Sequence, residues 1–399
     1  MTTTSAASSL VQSLAGAYYT DPGVFDADKR RIFERSWMCA CRADAVERPG
    51  QFFRVEVGDE SVLVVRDRGG EIRAFRNLCR HRGARLCIEE YGDFGKAIRC
   101  MYHAWTYGLD GQLIAAPNMR EMPDLVKKDY GLHRVRAEQW LGYVWVNLDA
   151  AAQPLAAQVE PQVLARLGNL EMFDRYGIGR LGVATTITYE VDSNWKSIVE
   201  NYMECYHCAT IHPELTAALP QFTSGYGSVS GGARASLAGE GFSLSGKAAC
   251  SRLPGLLPED DRLFSGLVLR PNVLVNLASD HVAFFRLEPQ AAGHTRVVVD
   301  WLFDRDAMAG EDFDPSDAVA ILDITNRQDF DACQRCHLGM RSSAYQGVLV
   351  PAEHILRDFH AYYLDALGDA PASLPQGVAA AARLPGALPG PPPTHKVIA

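Results

Sequence analysis

The stretch Asn201-Tyr-Met-Glu-Cys-Tyr-His-Cys-Ala-Thr-Ile-His212 carries three potential metal ligands in close succession. Glu204, His207 and His212 form a Glu-x2-His-x4-His array that offers one carboxylate and two imidazoles. This ligand set suits a divalent iron that keeps coordination positions open for reactants. Because His and Glu residues at such spacing also occur in ordinary helices, the hypothesis of a catalytic metal site needs support from the rest of the chain.

The composition is that of a large globular protein. The chain has 399 residues, of which 47% are hydrophobic, and this length predicts two or three domains with sizeable cores. A formal net charge of -9 argues against a nucleic-acid or anionic-membrane surface. No apolar run reaches the roughly 20 residues of a membrane helix.

The first basic residue is Lys29, so the start lacks the basic region of a signal peptide. We therefore expect a cytoplasmic protein without a nucleic-acid or membrane partner.

The first half of the chain predicts a short helix followed by a β domain. Residues 1–15 are rich in Ser, Thr and Ala and are expected to be frayed. Asp21-Pro22 is typical of a helix start, and helical spacing of apolar residues continues through Arg35. Short β-type runs separated by Gly, Asp and Asn turns then indicate a compact antiparallel β domain. The runs cover residues 52–57, 61–65, 72–75, 98–100 and 141–146.

The second half predicts helices around a second antiparallel sheet. Residues 150–178 are expected to be helical or a linker. Weak periodicity in residues 213–266 indicates a functional lid or a disordered segment. The segment from residue 369 onward is rich in Ala, Pro and Gly and is expected to be poorly ordered. The remaining predicted elements are strands at 182–191, 266–277, 281–287 and 295–303, and helices at 194–211, 315–340 and 351–367.

Cysteine and histidine alternate in two short motifs inside the predicted β domain, Cys79-Arg-His81 and Cys100-Met-Tyr-His103. Two thiolates and two imidazoles could ligate zinc, but zinc fingers pair Cys with Cys and His with His. Each motif here supplies one of each. This interleaving favours a Rieske cluster, in which one iron takes both cysteines and the other takes both histidines. Gly83 and Trp105 fit a tight turn and a hydrophobic cover for such a cluster.

Three motifs follow one another along the chain. They are Cys79-Arg-His81-Arg-Gly, Cys100-x-Tyr-His103-Ala-Trp-x-Tyr-x-Leu-Asp-Gly111, and Asn194-Trp-Lys…Glu200-Asn-Tyr…Glu204-x2-His207-x4-His212-Pro213. Together they resemble the large (α) subunit of the Rieske non-haem iron oxygenases, the ring-hydroxylating type. The resemblance covers roughly residues 18–367 in the family's own domain order.

The resemblance implies two metal centres. The [2Fe-2S] cluster would be held by Cys79, His81, Cys100 and His103. The mononuclear Fe(II) would take His207, His212 and a late carboxylate, for which Asp329 aligns best and Asp331 is the alternative.

The same resemblance moves Glu204 away from the iron. In the family the corresponding acid, most often Asp, links a Rieske histidine of the neighbouring subunit, here His103, to an iron ligand, here His207. Glu in place of Asp is a departure from the commoner pattern. Asn201 and Glu204 are therefore the predicted catalytic residues beside the ligands. With His207 they follow i, i+3, i+6 and are expected to share one helix face.

The family also implies the fold and the partners. The predicted fold class is α+β, with an N-terminal antiparallel β Rieske [2Fe-2S] domain and a C-terminal helix-grip-like catalytic domain whose antiparallel sheet is flanked by helices. The predicted boundaries are 1–36 for the N-terminal segment and lead-in helix, 37–150 for the Rieske domain, 151–370 for the catalytic domain and 371–399 for the tail. Electrons from NAD(P)H would arrive through a separate flavin/iron-sulfur reductase. A head-to-tail homotrimer would let the cluster of one chain serve the iron of the next.

The implied function is that of a terminal monooxygenase or dioxygenase that uses O2 on a small organic substrate. The Glu204-Cys-Tyr-His207-Cys form resembles the branch that oxidises quaternary ammonium compounds such as glycine betaine or carnitine, by N-demethylation or C–N cleavage. Aromatic-acid hydroxylation, ring dioxygenation and O-demethylation stay open as alternatives. A Rieske electron carrier with an inert second domain is the non-enzymatic alternative.

The cysteines raise competing interpretations. Cys333-Gln-Arg-Cys336-His337 matches the c-type haem attachment pattern, but no export signal accompanies it. Cys205 and Cys208 flank His207 and suggest zinc, yet with the histidines on iron we expect them to be small apolar residues near the site. In a reducing compartment the ten cysteines are expected to be free thiols or metal ligands rather than disulfides.

Overall fold

The structure has one large antiparallel sheet in each half of the chain. It is a computed structural model that describes residues 10–225 and 234–368. Strands that begin at residue 38 and end at residue 147 form the first domain, and those from 182 to 303 form the second sheet, flanked by helices. The predicted α+β class is confirmed. The predicted tail, residues 371–399, lies outside the described residues.

A short helical segment leads into the first domain. Its elements are β1 (Val11–Gln12), α1 (Ala17–Thr20), α2 (Pro22–Asp28) and a π-helical turn (Lys29–Phe33). The Asp21 carboxylate accepts hydrogen bonds from the N–H groups of Gly23 and Val24, and this cap starts the predicted lead-in helix. Within the predicted frayed segment, β1 is instead paired with Val348–Leu349.

The first domain combines a seven-stranded and a three-stranded antiparallel sheet. Its strands are β2 (Met38–Arg42), β3 (Gln51–Val57), β4 (Glu60–Arg66), β5 (Ile72–Arg76), β6 (Tyr91–Asp93), β7 (Ile98–Arg99), β8 (Thr106–Tyr107), β9 (Leu113–Ala115), β10 (Arg134–Trp140) and β11 (Tyr143–Asn147). The large sheet has the order β2-β11-β10-β5-β4-β3-β6, and β7-β8-β9 form the small one. Each of the five predicted runs contains a strand. β2 escaped prediction because all its residues are buried, so no alternation marks it.

The second domain places helices on both faces of a six-stranded sheet. Its elements are α3 (Leu155–Leu167), α4 (Leu170–Asp174), β12 (Gly182–Val191), α5 (Trp195–Met203), α6 (Cys208–Ile211), α7 (Pro213–Ala218), β13 (Ala235–Ser236), β14 (Leu263–Leu269), β15 (Val273–Leu277), β16 (Val282–Ala291), β17 (His294–Phe303), α8 (Arg305–Met308), α9 (Ser316–Met340), β18 (Val348–Leu349) and α10 (Leu356–Leu367). The strand order is β12-β17-β16-β15-β14-β13. One face packs against α5 and α9, and the other packs against α3 and α4. The predicted run 266–277 is two strands, because the chain turns at Pro271.

The segment predicted as a lid or as disordered, residues 213–266, is folded where it is described. Residues 226–233 lie outside the described residues. Arg262 donates hydrogen bonds to the carbonyls of Leu237, Ala238 and Gly239, which holds the segment on itself. The Ser245 hydroxyl donates to the Asp317 carboxylate at the start of α9. The described residues of this segment therefore pack on the face of the sheet that also contacts α9.

A buried ion pair joins the lead-in helix to the helix that carries the opening motif. The Lys196 ammonium lies 2.6 Å from the Asp28 carboxylate, and both side chains are fully buried. Asp28 also accepts hydrogen bonds from the Trp195 indole (3.0 Å) and the Tyr363 hydroxyl (2.9 Å). Lys196, Trp195 and Tyr363 therefore all donate to one buried carboxylate in this junction.

Replacing Asp28 with Ala is expected to lower the free energy of unfolding by about 3–5 kcal/mol, because a buried ammonium loses its counter-ion. Urea unfolding followed by circular dichroism measures the loss. Asp331→Ala is the comparison, because it removes an exposed ion pair with Arg335 and should cost less than about 1 kcal/mol. Similar losses in the two variants would contradict the assigned role of Asp28.

No helix in residues 10–225 and 234–368 is long and apolar enough to span a membrane.

Candidate active site

The opening motif spans a break between two helices. α5 ends at Met203, Glu204 has extended backbone angles (φ -117°, ψ 166°), and α6 begins at Cys208. The Glu204 carboxylate accepts hydrogen bonds from the Tyr206 N–H and from His207 Nδ1 (2.5 Å). These local bonds compete with helix continuation. The predicted single helix 194–211, and with it a shared helix face for Asn201, Glu204 and His207, is therefore wrong. The tight turn brings these residues together instead.

A disulfide closes this turn. Cys205 and Cys208 are bonded to each other, whereas the other eight cysteines are free. The prediction that the cysteines are free thiols or metal ligands is wrong for this pair, because the turn after α5 brings the two sulfurs together. Both are buried, and they bracket the exposed Tyr206 and the half-buried His207.

His207, His212 and Asp329 converge although Asp329 is more than a hundred residues away in sequence. Their ligand atoms lie within 4.8 Å of one another. Asp329 Oδ1 is 3.2 Å from His207 Nε2 and 2.8 Å from His212 Nε2. The Asn201 amide lies 3.5 Å from His207 Nε2. Each imidazole thus presents Nε2 to one common point, which is the arrangement that a 2-His-1-carboxylate iron site needs.

Burial and hydrogen bonding oppose each other in this cluster. Burial lowers the pKa of His207, but hydrogen bonds to Asp329 and Glu204 outweigh it and raise the pKa to about 10. Burial raises the pKa of Asp329, and its contacts with the two histidines reverse this effect and lower it. Two carboxylates around His207 therefore create a strongly cation-favouring position. A divalent ion suits this position.

Two residues at the site escaped sequence analysis. His212 Nδ1 lies 2.7 Å from Gln328 Oε1, and the Gln328 amide nitrogen lies 3.3 Å from Glu214 Oε2. Gln328 precedes Asp329 on α9, and Glu214 follows Pro213 in the first turn of α7. Only their proximity to predicted ligands in sequence could have drawn attention to them.

The structure separates the two candidate late carboxylates. Asp331 is exposed and pairs with Arg335, 2.7 Å away, on the outer side of α9. It lies outside the cluster that Asp329 joins. The haem-like motif falls on the same helix, with Cys333 buried and Cys336 exposed. The Cys333 thiol is therefore enclosed by protein, whereas haem attachment requires both thiols to be accessible.

The two Cys/His loops of the first domain close in the same way. In each, the cysteine N–H donates to the carbonyl five residues on, and the N–H four residues on donates to the cysteine carbonyl. The partners of Cys79 are Ala84 (2.8 Å) and Gly83 (3.0 Å), and those of Cys100 are Trp105 (2.8 Å) and Ala104 (3.0 Å). Gly83 and Ala104 both have positive φ, 72° and 56°, and a positive φ is uncommon for alanine. The backbone thus builds two equivalent loops.

The loops direct the thiols inward and the imidazoles outward. Cys79 and Cys100 are buried, whereas His81 is exposed and His103 is half-buried. The two imidazole centroids lie 4.7 Å apart. Burial and the neighbouring Cys100 raise the pKa of the Cys79 thiol, although the Tyr107 hydroxyl opposes them. A bound cation would favour the ionised form of the Cys79 thiol. The arrangement fits a cluster whose buried iron is held by the two cysteines and whose outer iron is held by the two histidines.

Aromatic side chains surround the outer half of this site. The Trp105 indole is stacked on His81 with centroids 5.1 Å apart, and the Tyr102 ring lies 3.7 Å from His103. Met101 and Tyr102 are 87% and 59% exposed. The cluster loops thus end in an apolar tip that faces out of the chain.

Comparison with known proteins agrees with both sites. Residues 36–128 match the Rieske [2Fe-2S] domain, and residues 178–369 match the ring hydroxylating alpha subunit (catalytic domain). The chain is 31% identical over 369 residues to the glycine betaine monooxygenase oxygenase subunit of Pseudomonas aeruginosa UCBPP-PA14, covering 84% of this chain and 83% of that protein. It is 35% identical over 201 residues to the carnitine monooxygenase oxygenase subunit of Escherichia coli K12, covering 50% of this chain and 52% of that one.

Solved structures show the same fold. A structure of a quaternary ammonium Rieske monooxygenase superposes with a TM-score of 0.73 at 24% identity, covering 90% of this chain and 96% of that one. Rieske cluster, mononuclear iron and O2 are thus the cofactors and co-substrate of this chain, with electrons derived from NAD(P)H. The chain belongs to the ring-hydroxylating family of Rieske non-haem iron oxygenases and is an oxygenase subunit of that family.

Proposed function

We propose that this oxygenase oxidises a quaternary ammonium compound, with its iron on His207, His212 and Asp329 and its cluster on Cys79, His81, Cys100 and His103. The observation that carries the proposal is the convergence of the two histidines and Asp329 on one point. When bound, the cluster supplies single-electron transfer and the iron supplies O2 activation.

Two neighbouring side chains hold the Nδ1 protons of the histidine ligands in place. Glu204 accepts from His207 Nδ1, and Gln328 accepts from His212 Nδ1, so both Nε2 atoms are left for the metal. His212 is fully buried, while the His207 and Asp329 side chains keep about a fifth of their surface accessible. Access to the site therefore lies on the His207 side.

Glu204 is proposed to link this site to the cluster of a neighbouring copy in a head-to-tail homotrimer. Within the chain its hydrogen-bond partners are Tyr206 and His207. Two further carboxylates, Glu200 and Glu353, lie near it, and burial together with the charges of Glu204 and Glu200 raises the pKa of Glu353. The cluster tip itself is apolar, and a basic residue lies beside it, since the Arg82 guanidinium is 5.9 Å from the Tyr102 ring. These opposite charges favour contact between the tip of one copy and the Glu204 surface of the next.

A separate reductase is proposed as the electron donor, of the flavin/iron-sulfur kind. The relatives are named oxygenase subunits, which implies that another protein completes their systems. This chain supplies ligands for a cluster and a mononuclear iron, and neither group reacts with NAD(P)H directly.

The substrate class is proposed from the relatives, and the catalytic domain offers aromatic side chains beside α5. The relatives named above act on glycine betaine and carnitine. On the face of the second sheet that packs against α5, Tyr202 contacts Phe285 (centroids 6.0 Å apart) and Phe242 contacts Phe264 (4.7 Å). Aromatic rings favour quaternary ammonium groups through cation–π attraction, worth roughly 0.5–2 kcal/mol for each ring.

Single-turnover assays test the substrate class without the reductase. The dithionite-reduced protein, freed of excess reductant and exposed to O2, is expected to release formaldehyde or trimethylamine from glycine betaine, carnitine or proline betaine. The control is 3,3-dimethylbutyrate, which has the shape of glycine betaine with carbon in place of the cationic nitrogen. Hydroxylation of this analogue would give a stable alcohol and no formaldehyde, so its product is measured by mass spectrometry. We expect at least about tenfold less product from it than from glycine betaine, because it lacks the cationic charge.

The same assay with aromatic acids defines the result that would contradict the proposed substrate class. Turnover of benzoate-type substrates, together with silence toward every betaine, would overturn the substrate proposal while leaving the oxygenase assignment intact.

A further inference from the structure

His212 binds metal only in one of its two neutral forms. Its Nε2 faces Asp329 Oδ1 at 2.8 Å, which is the direction of the other ligands. For Nε2 to be a metal ligand, the proton of the neutral ring must sit on Nδ1. Because His212 is fully buried, a protein group has to hold that proton.

Gln328 accepts a hydrogen bond from His212 Nδ1 only if its amide oxygen faces the ring. The contacts of the amide group decide this orientation. Its nitrogen lies 3.3 Å from Glu214 Oε2, and an ionised carboxylate can only accept hydrogen bonds. The amide nitrogen therefore donates to Glu214, and Oε1 points to His212 Nδ1 at 2.7 Å. In the reversed orientation, two oxygens would face each other and the ring proton would be forced onto Nε2.

We propose that Glu214 and Gln328 are positioning residues that act in series to hold His212 in its metal-binding form. Glu214 orients the Gln328 amide, and the amide holds the proton on Nδ1. The proposal rests on His207, His212 and Asp329 being the iron ligands. It is independent of the substrate class.

The two histidines are thereby held in different ways. His207 has a carboxylate, Glu204, directly on its Nδ1, whereas His212 has a neutral amide with the carboxylate one hydrogen bond further away. A direct carboxylate makes a histidine ligand more basic than an amide does. The series arrangement thus fixes the form of His212 without placing a second negative charge against it.

The affinity of the mononuclear site for Co(II) measures the positioning role of Gln328 and Glu214 independently of catalytic activity. The mononuclear metal is removed with a chelator under argon while the Rieske cluster is retained, and Co(II) binding is followed by equilibrium dialysis and elemental analysis. Gln328→Met keeps the length of the side chain and removes the acceptor. Its Kd for Co(II) is expected to rise roughly 10- to 100-fold. Glu214 acts through Gln328, to which it is hydrogen-bonded. Glu214→Leu is therefore expected to raise the Kd for Co(II) as well, but by a smaller factor.

An exchange of the two groups separates polarity from packing. In Gln328→Glu/Glu214→Gln, a carboxylate at position 328 still accepts from His212 Nδ1. The bond between positions 328 and 214 reverses, because the amide at 214 now donates to the carboxylate at 328, and the acceptor that faces His212 is still held in place. Binding within about threefold of the parent is expected. Gln334→Met on the same helix is the control, and the visible spectrum of the Rieske cluster reports folding.

Two results would overturn the proposal. One is parent-like Co(II) binding by Gln328→Met, and the other is a folded exchange variant that binds as weakly as Gln328→Met. Absence of Co(II) binding in the parent protein would instead refute the ligand assignment itself, so the two failures are distinguishable.

Discussion

Replacing Asp329 with Ala is expected to remove the mononuclear iron, leave the Rieske cluster in place and abolish product formation. Asp329 is the ligand of this site that comes from α9, and its Oδ1 contacts both histidine Nε2 atoms. Two imidazoles without the carboxylate cannot complete the 2-His-1-carboxylate set. The cluster belongs to loops of another domain, which the substitution does not touch. Turnover should fall by at least about three orders of magnitude, which corresponds to about 4 kcal/mol in the activation free energy.

The ratio of iron to acid-labile sulfide measures this effect directly. A fully loaded parent contains about three irons for every two sulfides, and Asp329→Ala should contain about two for every two. The matched comparison is Asp331→Ala, two residues further along α9, where the carboxylate is exposed and paired with Arg335. It should keep the parent ratio. If Asp331→Ala loses iron and Asp329→Ala keeps it, the two carboxylates have been assigned the wrong way round.

Short-range motifs made the Cys/His cluster site predictable from the sequence, together with the two histidines of the second metal site. Cys79 and His81, like Cys100 and His103, lie within one loop each, so spacing alone limits which metal they can share. Their loops are closed by backbone hydrogen bonds, with Gly83 at the position where a tight turn needs it. Strand β12 was predictable over its full length because its residues alternate between the two faces of the sheet.

Long-range partners were predictable only through family resemblance. No local pattern connects Asp329 to His212 across more than a hundred residues, and an isolated carboxylate on a helix resembles any surface acid. Gln328 has no motif of its own, because an amide between a histidine and a carboxylate is recognised by geometry and not by spacing. Such residues emerge only when α7 and α9 pack together.

The break after α5 shows how a side chain can override helical periodicity. Residues 194–211 keep a helical spacing of apolar residues, yet the chain leaves the helix at Glu204. The Glu204 carboxylate accepts hydrogen bonds from the Tyr206 N–H and from His207 Nδ1. In a continuing helix the Tyr206 N–H would instead donate to the backbone carbonyl four residues earlier. The same turn that contradicts the secondary-structure prediction directs His207 toward His212 and Asp329 and leaves the Glu204 side chain 11% exposed.

Glu204→Ala is expected to keep both metal sites loaded and to reduce product formation by at least about 100-fold. The carboxylate is not one of the three converging ligands, so the site should still fill when iron is supplied in excess, although loss of the His207 Nδ1 acceptor lowers its affinity for iron. What is lost is the acceptor that fixes the His207 tautomer and the proposed link to His103 of a neighbouring copy. Metal analysis and single-turnover product measurement on one preparation test both halves of this expectation. Parent-like turnover in the loaded variant would refute the bridging role.

Mixing two inactive variants decides whether the link runs between copies. Glu204→Ala retains an intact cluster histidine, and His103→Ala retains an intact Glu204. If the link joins neighbouring chains, co-assembled oligomers contain interfaces that pair the intact His103 of one variant with the intact Glu204 of the other. Random assembly in equal amounts makes roughly a quarter of the interfaces productive, so activity should recover to about that fraction of the parent. If the link runs within one chain, every chain in the mixture is defective and no activity returns.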